Sequence, residues 1–312
     1  MLPILLKTLP FFALIGVGYW AGRIRFFPPE ATAWLTKFVF YFALSAMLFR
    51  FAANLSLAEI FDLQFVMAYL SASVVVYVLA FGVAMARRTG VEEAAIEAQC
   101  ATSGNTGFLG VPMLVMLLGP AAAGPVLMVL TVDMVVFSSL ITLIITGARE
   151  GRMRVATLGV LGMGLLKNPM IVSLVLGFAW SATGLAVPGP VNDFLALLGA
   201  AATPGALFAI GASLAGRSAE RVQIAAWLSF AKLILHPGAV AFAALYLFSV
   251  DREAAGVMIA AASLPVAGNV YILAQHYGVA PMRVSTSILI STAVSIVTVT
   301  AVIAWVTGLG VQ

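Results

Sequence analysis

Ten apolar runs set the limits on what this chain can fold into. They fall at 2–21, 34–53, 64–86, 95–118, 122–147, 158–182, 192–215, 223–249, 254–277 and 284–308. Each is close to the ~20 residues that a helix needs to cross the ~30 Å hydrocarbon core of a bilayer. Backbone groups in hydrocarbon must be satisfied within their own segment, and runs this long exceed barrel strands, so all ten are expected to be helices. Only 9% of the 312 residues are charged and 62% are hydrophobic, whereas a soluble domain carries about 25% charged residues. Too few ionisable groups remain to cover a soluble globule, and no stretch is left over for a soluble domain. The expected class is an all-α, multi-pass protein of the lipid bilayer.

The connections carry the charge and turn signals: Arg23 and Arg25 before Pro28-Pro29, Arg87-Arg88, Arg149 to Arg154, and Pro188-Gly189-Pro190. One set of alternate loops holds Arg23, Arg25, Arg87, Arg88, Arg149, Arg152, Arg154, Arg217, Arg221 and Arg283; the opposite set holds Arg50 and Arg252. Basic residues mark cytoplasmic loops. The expected topology therefore places both termini outside a cytoplasmic (plasma) membrane and the basic loop around 148–157 inside. The same asymmetry explains the sequence pI of 9.4. The basic residues form no patch with aromatics, so no nucleic-acid partner is implied. In the first run Lys7 interrupts the apolar residues, Pro10 sits in their middle and no small-x-small cleavage site follows, so this run is expected to be retained as a span. Cys100 is the only cysteine, which leaves no disulfide framework and no thiolate metal site.

The two halves share a register. Pro10 and Pro169 are 159 positions apart, as are Gly18 and Gly177, Pro29 and Pro188, Ala43 and Ala202, Leu48 and Leu207, Phe49 and Phe208, and Gly119 and Gly278. Shared apolar composition is the plain alternative, but Gly and Pro matches held at one offset favour a repeat. A first unit over 1–147, a linker over 148–157 and a second unit over 158–312 each hold five spans. An odd number inserts the second unit upside down, giving the inverted repeat of many secondary transporters.

Span four contains Ser103, Gly104, Asn105, Thr106, Gly107, Gly110 and Pro112, and span nine contains Pro265, Gly268 and Asn269. Corresponding Gly/Pro interruptions in two repeats point to a midplane binding site. Unwound helix ends offer free N–H groups and the positive end of a helix dipole to a carboxylate. Asn105 and Asn269 add neutral donors and acceptors. The competing structural account is a pair of kinked helices packed closely through glycine.

The stretches SGNTGFLGVP in span four, LLKNPMIVSLVLG at 165–177, ATPGALFAIGASL at 202–214 and LPVAGNVYILAQHYG at 264–278 together resemble the auxin efflux carrier family of membrane transporters. That family is related to the sodium-coupled bile-acid symporters. The likeness runs over essentially the whole chain. It implies ten helices in two inverted five-helix repeats, with spans one, two, six and seven as a scaffold domain. Spans three to five and eight to ten would form a transport domain in which spans four and nine cross. The family usually has a proline in its second span, where FALSAMLF here has Ser45; the second-repeat counterpart, Pro204, is retained. The implied activity is secondary transport of a small organic acid by an elevator-like motion, in a homodimer joined through the scaffold. A sodium-coupled symporter or a non-transporting membrane sensor are the alternatives.

An ionisable side chain at a helix centre costs about 2.5–3.5 kcal/mol on insertion scales, so those inside spans are candidates for function. Asp133 lies mid-span in span five, and Lys232 and His236 lie one turn apart in span eight. An Asp133–Lys232 pair is expected to fill the place of a coupling cation, or a protonatable Asp133 to link substrate to H⁺; H⁺ and Na⁺ are the possible coupling ions. The structural alternatives are a satisfied carboxylate, a tether and a packed histidine beside Pro237. Glu97 is expected to reach water from the end of span four, and Lys7, Lys37 and Lys167 to snorkel. No Walker sequence, serine-protease motif or clustered histidine pair occurs, so neither an enzyme nor a cofactor is expected.

Overall fold

A computed structural model of the chain describes residues 2–55, 62–150, 155–216 and 221–308. Every regular element among the described residues is helical. We label them α1 (Leu2–Arg23), α2 (Pro29–Ala53), α3 (Leu63–Ala86), α4 (Val91–Thr102), α5 (Thr106–Leu118), α6 (Pro120–Arg149), α7 (Val155–Lys167), α8 (Pro169–Ser181), α9 (Gly189–Ala215), α10 (Val222–Leu247), α11 (Arg252–Ala262), α12 (Gly268–Tyr277) and α13 (Pro281–Gly308). Seven of them, α1, α2, α3, α6, α9, α10 and α13, are long and apolar enough to cross a membrane. The rest are shorter helices that follow one another in pairs.

The runs at 95–118 and 254–277 are divided at their glycine and proline clusters into α4/α5 and α11/α12. The run at 158–182 is divided as well. Asn168 caps a new helix by accepting the Met170 N–H at 3.0 Å, and Pro169 occupies its first position, where a missing N–H is harmless. The basic linker centred on 151–154 lies outside the described residues. Its flanks are already helical, with α6 reaching Arg149 and α7 beginning at Val155.

Side chains are sorted as lipid would sort them. Val75, Val78, Leu166, Leu197 and Tyr246 are exposed. Ser287, Ser291 and Ser295, spaced at four residues on α13, are completely buried. Lys7 and Lys167 are exposed as snorkelling requires, and Lys37 lies 4.4 Å over the Trp34 ring.

Small residues bring helices together, as they must where no water drives association. A Cβ on Gly18 of α1 would collide with the backbone of Phe208 on α9. A Cβ on Gly177 of α8 would stand 2.8 Å from the Phe49 carbonyl oxygen of α2. These contacts exchange roles at the same offset of 159, since Gly18 matches Gly177 and Phe49 matches Phe208. Gly177→Ala is expected to lower thermal stability in detergent by about 1–3 kcal/mol, the usual penalty for overpacking. Gly16→Ala, where a Cβ meets nothing within 4 Å, should leave the melting curve in place.

Candidate functional site

The two breaks meet. Gly104 and Val266 form an isolated antiparallel bridge, in which the Asn105 N–H donates to the Pro265 carbonyl at 2.8 Å and the Ala267 N–H to the Ser103 carbonyl at 3.0 Å. Two extended strand-like segments thus satisfy each other where their helices are interrupted, which is how non-helical backbone is tolerated at membrane depth. The Val266 N–H donates to Ser291 Oγ of α13 at 3.1 Å, and Gln99 Nε2 donates to Ser103 Oγ at 2.7 Å. Both supports come from residues that carry no mark of function in the sequence.

From this crossing α5 starts at Thr106 and α12 at Gly268. The first N–H groups of any helix lack intrahelical acceptors, and Ala267 offers α12 no side-chain cap. Two buried oxygens beside these helix starts, Thr106 Oγ1 and Asn269 Oδ1, have no protein hydrogen-bond partner. The site therefore presents helix N-termini and uncommitted polar atoms, with the buried Asp133 carboxyl beside the Gly104 backbone. Such a place suits an anion.

Of the residues singled out in the sequence, Ser103, Asn105, Thr106, Gly107, Pro265, Gly268 and Asn269 all lie at the crossing or in the first turn beyond it. Gly107 faces α8, where a Cβ would stand 2.6 Å from Met170 Cε. Pro112 lies farther along α5, on the wall of a separate cavity.

The buried ionisable groups surround the crossing. Lys232 Nζ donates to the Ala262 carbonyl at 2.5 Å, the last residue of α11, where the dipole of that helix is negative. It also lies 3.2 Å from His236 Nδ1, and a Cβ on Gly104 would stand 3.3 Å from it, so the ammonium bridges the surroundings of both breaks. His236 Nε2 is 2.9 Å from Ser73 Oγ on α3. Asp133 accepts a hydrogen bond from Tyr69 Oη at 2.8 Å, while its Oδ2 has no hydrogen-bond partner. Asp133 and Lys232 form no ion pair within 4 Å among the described residues; the expected direct pair is replaced by these separate hydrogen bonds. Both residues sit on π-helical turns, Asp133–Phe137 and Ala231–Leu235. The extra residue in each turn displaces the side chains from the regular α-helical register.

Glu97 does not reach water. It is completely buried, clamped between Arg87 and Arg283, the latter at 2.5 Å. Arg283 also reaches Glu93 at 3.1 Å. A buried carboxylate requires such partners, and they come from the C-terminal cap of α3 and from the first turn of α13. Nearby, Arg149 pairs with Glu92 at 2.7 Å and donates to the Tyr277 carbonyl at 2.6 Å. Its guanidinium, by hydrogen bonding, holds the Glu92 carboxyl below the usual carboxylate range. The arginines that gave the loop asymmetry thus tie α4, α6, α12 and α13 together at one end of the bundle.

Lipid-facing helices around a polar crossing of two interrupted ones are the build of a membrane transporter. The family model described as membrane transport protein matches residues 3–303. The chain is 31% identical over 302 residues, 95% of its length and 93% of the relative's, to a Rhizobium meliloti (strain 1021) protein named "Putative malonate transporter". It is 26% identical over 288 residues, 91% of each chain, to "Uncharacterized transporter YfdV" of Escherichia coli (strain K12). The chain belongs to the membrane transport protein family, the auxin efflux carrier family of its motifs. It is a multi-pass integral membrane transporter and not an enzyme.

Proposed function

We propose that this transporter is a secondary carrier of a small organic anion, a carboxylate held at the crossing of α4/α5 with α11/α12. The observation that carries the reading is the antiparallel pairing of Gly104 with Val266, after which two helices begin with buried oxygens uncommitted. The name of the Rhizobium meliloti relative, which specifies malonate, supports a small dicarboxylate.

The chain on this reading crosses the plasma membrane ten times as an inverted repeat, with α4/α5, α7/α8 and α11/α12 each making one crossing in two pieces. The exchanged contacts of Gly18 with Phe208 and of Gly177 with Phe49 support the repeat. The loop arginines support termini on the outside. The helices α1, α2 and α7–α9 form the scaffold through which two copies pair. The remaining helices carry the site past it, an elevator-like version of alternating access. Lys232 on the Ala262 carbonyl supports a tethered cation where a sodium-coupled carrier holds its ion. The coupling ion is then H⁺, carried by Asp133, and uptake does not respond to Na⁺ at fixed pH.

Asn105→Ala and Asn269→Ala test the site. Hydrogen bonds to charged groups contribute about 1.5–3 kcal/mol, so each variant should weaken carboxylate binding roughly ten- to a hundredfold while remaining extractable and folded. Isothermal titration of the detergent-purified variants measures this. Wild-type affinity in both would place the site elsewhere.

A further inference from the structure

An open groove of about 310 Å³, the cavity on whose wall Pro112 lies, runs between α2, α5 and α9. Met47 and Phe51 of α2, Pro112 and Met116 of α5, and Leu195 and Gly199 of α9 are among the residues that line it, and they make it largely apolar. Arg50 is the exception. It lies in the last turn of α2 on the cavity wall, half-buried. Its Nε donates to Asn192 Oδ1 at 3.0 Å, and no carboxylate among the described residues comes within ion-pair distance of it. The other arginines that lie near buried carboxylates in this protein, Arg87 and Arg283, are paired. A guanidinium fixed by a neutral amide and left without a counter-ion among the described residues, against apolar walls, offers its outer N–H groups to an anion. A low-dielectric surround strengthens that attraction.

The position adds direction. α5 begins at the crossing and runs along this cavity, and Arg50 belongs to the sparsely basic set of loops, opposite the arginine-rich end of the bundle. We infer that Arg50 is an anion-recruiting residue for transport: it holds a carboxylate of the substrate in the α2–α5–α9 cavity, on the way between that side of the membrane and the crossing. The inference rests on the carboxylate-carrier reading above. Volume agrees, since small-molecule sites begin at roughly 300 Å³, and guanidinium takes carboxylate in a two-pronged geometry that an ammonium lacks. Arg50 is a specificity-determining residue here, upstream of the site that is carried across.

The test is initial-rate uptake of radiolabelled malonate into proteoliposomes. Arg50→Gln should raise KM roughly tenfold, a factor equal to about 1.4 kcal/mol, with kcat little changed. It should also flatten the fall of kcat/KM with ionic strength that the wild type shows. Arg50→Cys provides a version labelled after folding, because Cys100 is the only native cysteine and is buried. A cationic methanethiosulfonate should restore KM toward the wild-type value, and an anionic one should raise it further. Unchanged KM and salt dependence in Arg50→Gln, or an equal response of Arg50→Cys to both reagents, would overturn the assignment of Arg50 while leaving the carrier reading intact. Absence of saturable uptake of any small carboxylate by the wild type would overturn both.

Discussion

Oxidation of a Thr8→Cys/Thr300→Cys double variant stops carboxylate uptake and leaves carboxylate binding in place. Thr8 belongs to α1 and Thr300 to α13, and their hydroxyl oxygens stand 3.1 Å apart in a fully buried contact. In the proposed motion α1 stays with the scaffold and α13 travels with the site, so this contact must break in each cycle. A disulfide requires Cβ atoms about 3.5–4.5 Å apart, and side chains already touching are suitable for one. Cys100 is buried and offers no competing thiol. Fully cross-linked protein should show near-complete loss of turnover, reversed by reductant, and each single variant should transport normally. Undiminished turnover in the cross-linked protein would mean that α1 and α13 do not separate and that the elevator account is wrong.

The second large effect concerns the buried charges. Lys232→Met removes the donor from the Ala262 carbonyl and the neighbouring amine from His236. Breaking one side of a buried charge arrangement costs about 3–5 kcal/mol, so this variant should lose most activity and melt early. Asp133→Asn is different, because Tyr69 can still donate to an amide oxygen and the packing is unchanged. The account expects Asp133→Asn to exchange substrate at one fixed pH but to lose the pH dependence of net uptake. The combination of Asp133→Asn with Lys232→Met should recover stability relative to Lys232→Met alone, without recovering pH-dependent uptake. Full activity with a normal pH profile in Asp133→Asn would remove Asp133 from the coupling scheme. Full recovery of pH-dependent uptake in the double variant would reduce both residues to a structural pair.

The parts of this fold that obey a rule of spacing or composition were legible from residues alone. Apolar length announced the seven helices long enough to cross a membrane, and the breaks at Gly104–Asn105 and Pro265–Gly268 were visible because glycine and proline interrupt helices for local reasons. The match of Gly18 with Gly177 was legible too, and its cause is the close helix approach that each permits. Asn168-Pro169 carried a helix-start signal that the apolar character of the run concealed. Tyr69, Ser73, Gln99 and Ser291 were not legible. A hydroxyl or amide inside an apolar helix looks the same whether it faces a neighbour's carbonyl or a carboxylate, and only the packing of α3, α6, α10 and α13 decides. The burial of Glu97 is not legible for a related reason. Its partners Arg87 and Arg283 lie 10 and 186 positions away, and a carboxylate near a helix end reads as solvated unless both cations are known to converge. The π-helical turns under Asp133 and Lys232 leave no trace in hydrophobic periodicity, since one inserted residue shifts a pattern that is already apolar all round.

Counterflow in proteoliposomes tests the central claim most directly. Purified wild-type protein is reconstituted with an excess of one unlabelled small dicarboxylate inside, and a trace of the same labelled compound is added outside without any ion gradient. The account predicts transient accumulation of label above its equilibrium level, abolished by Asn105→Ala combined with Asn269→Ala. No accumulation for any small carboxylate tested, or accumulation that the double variant leaves intact, would contradict it.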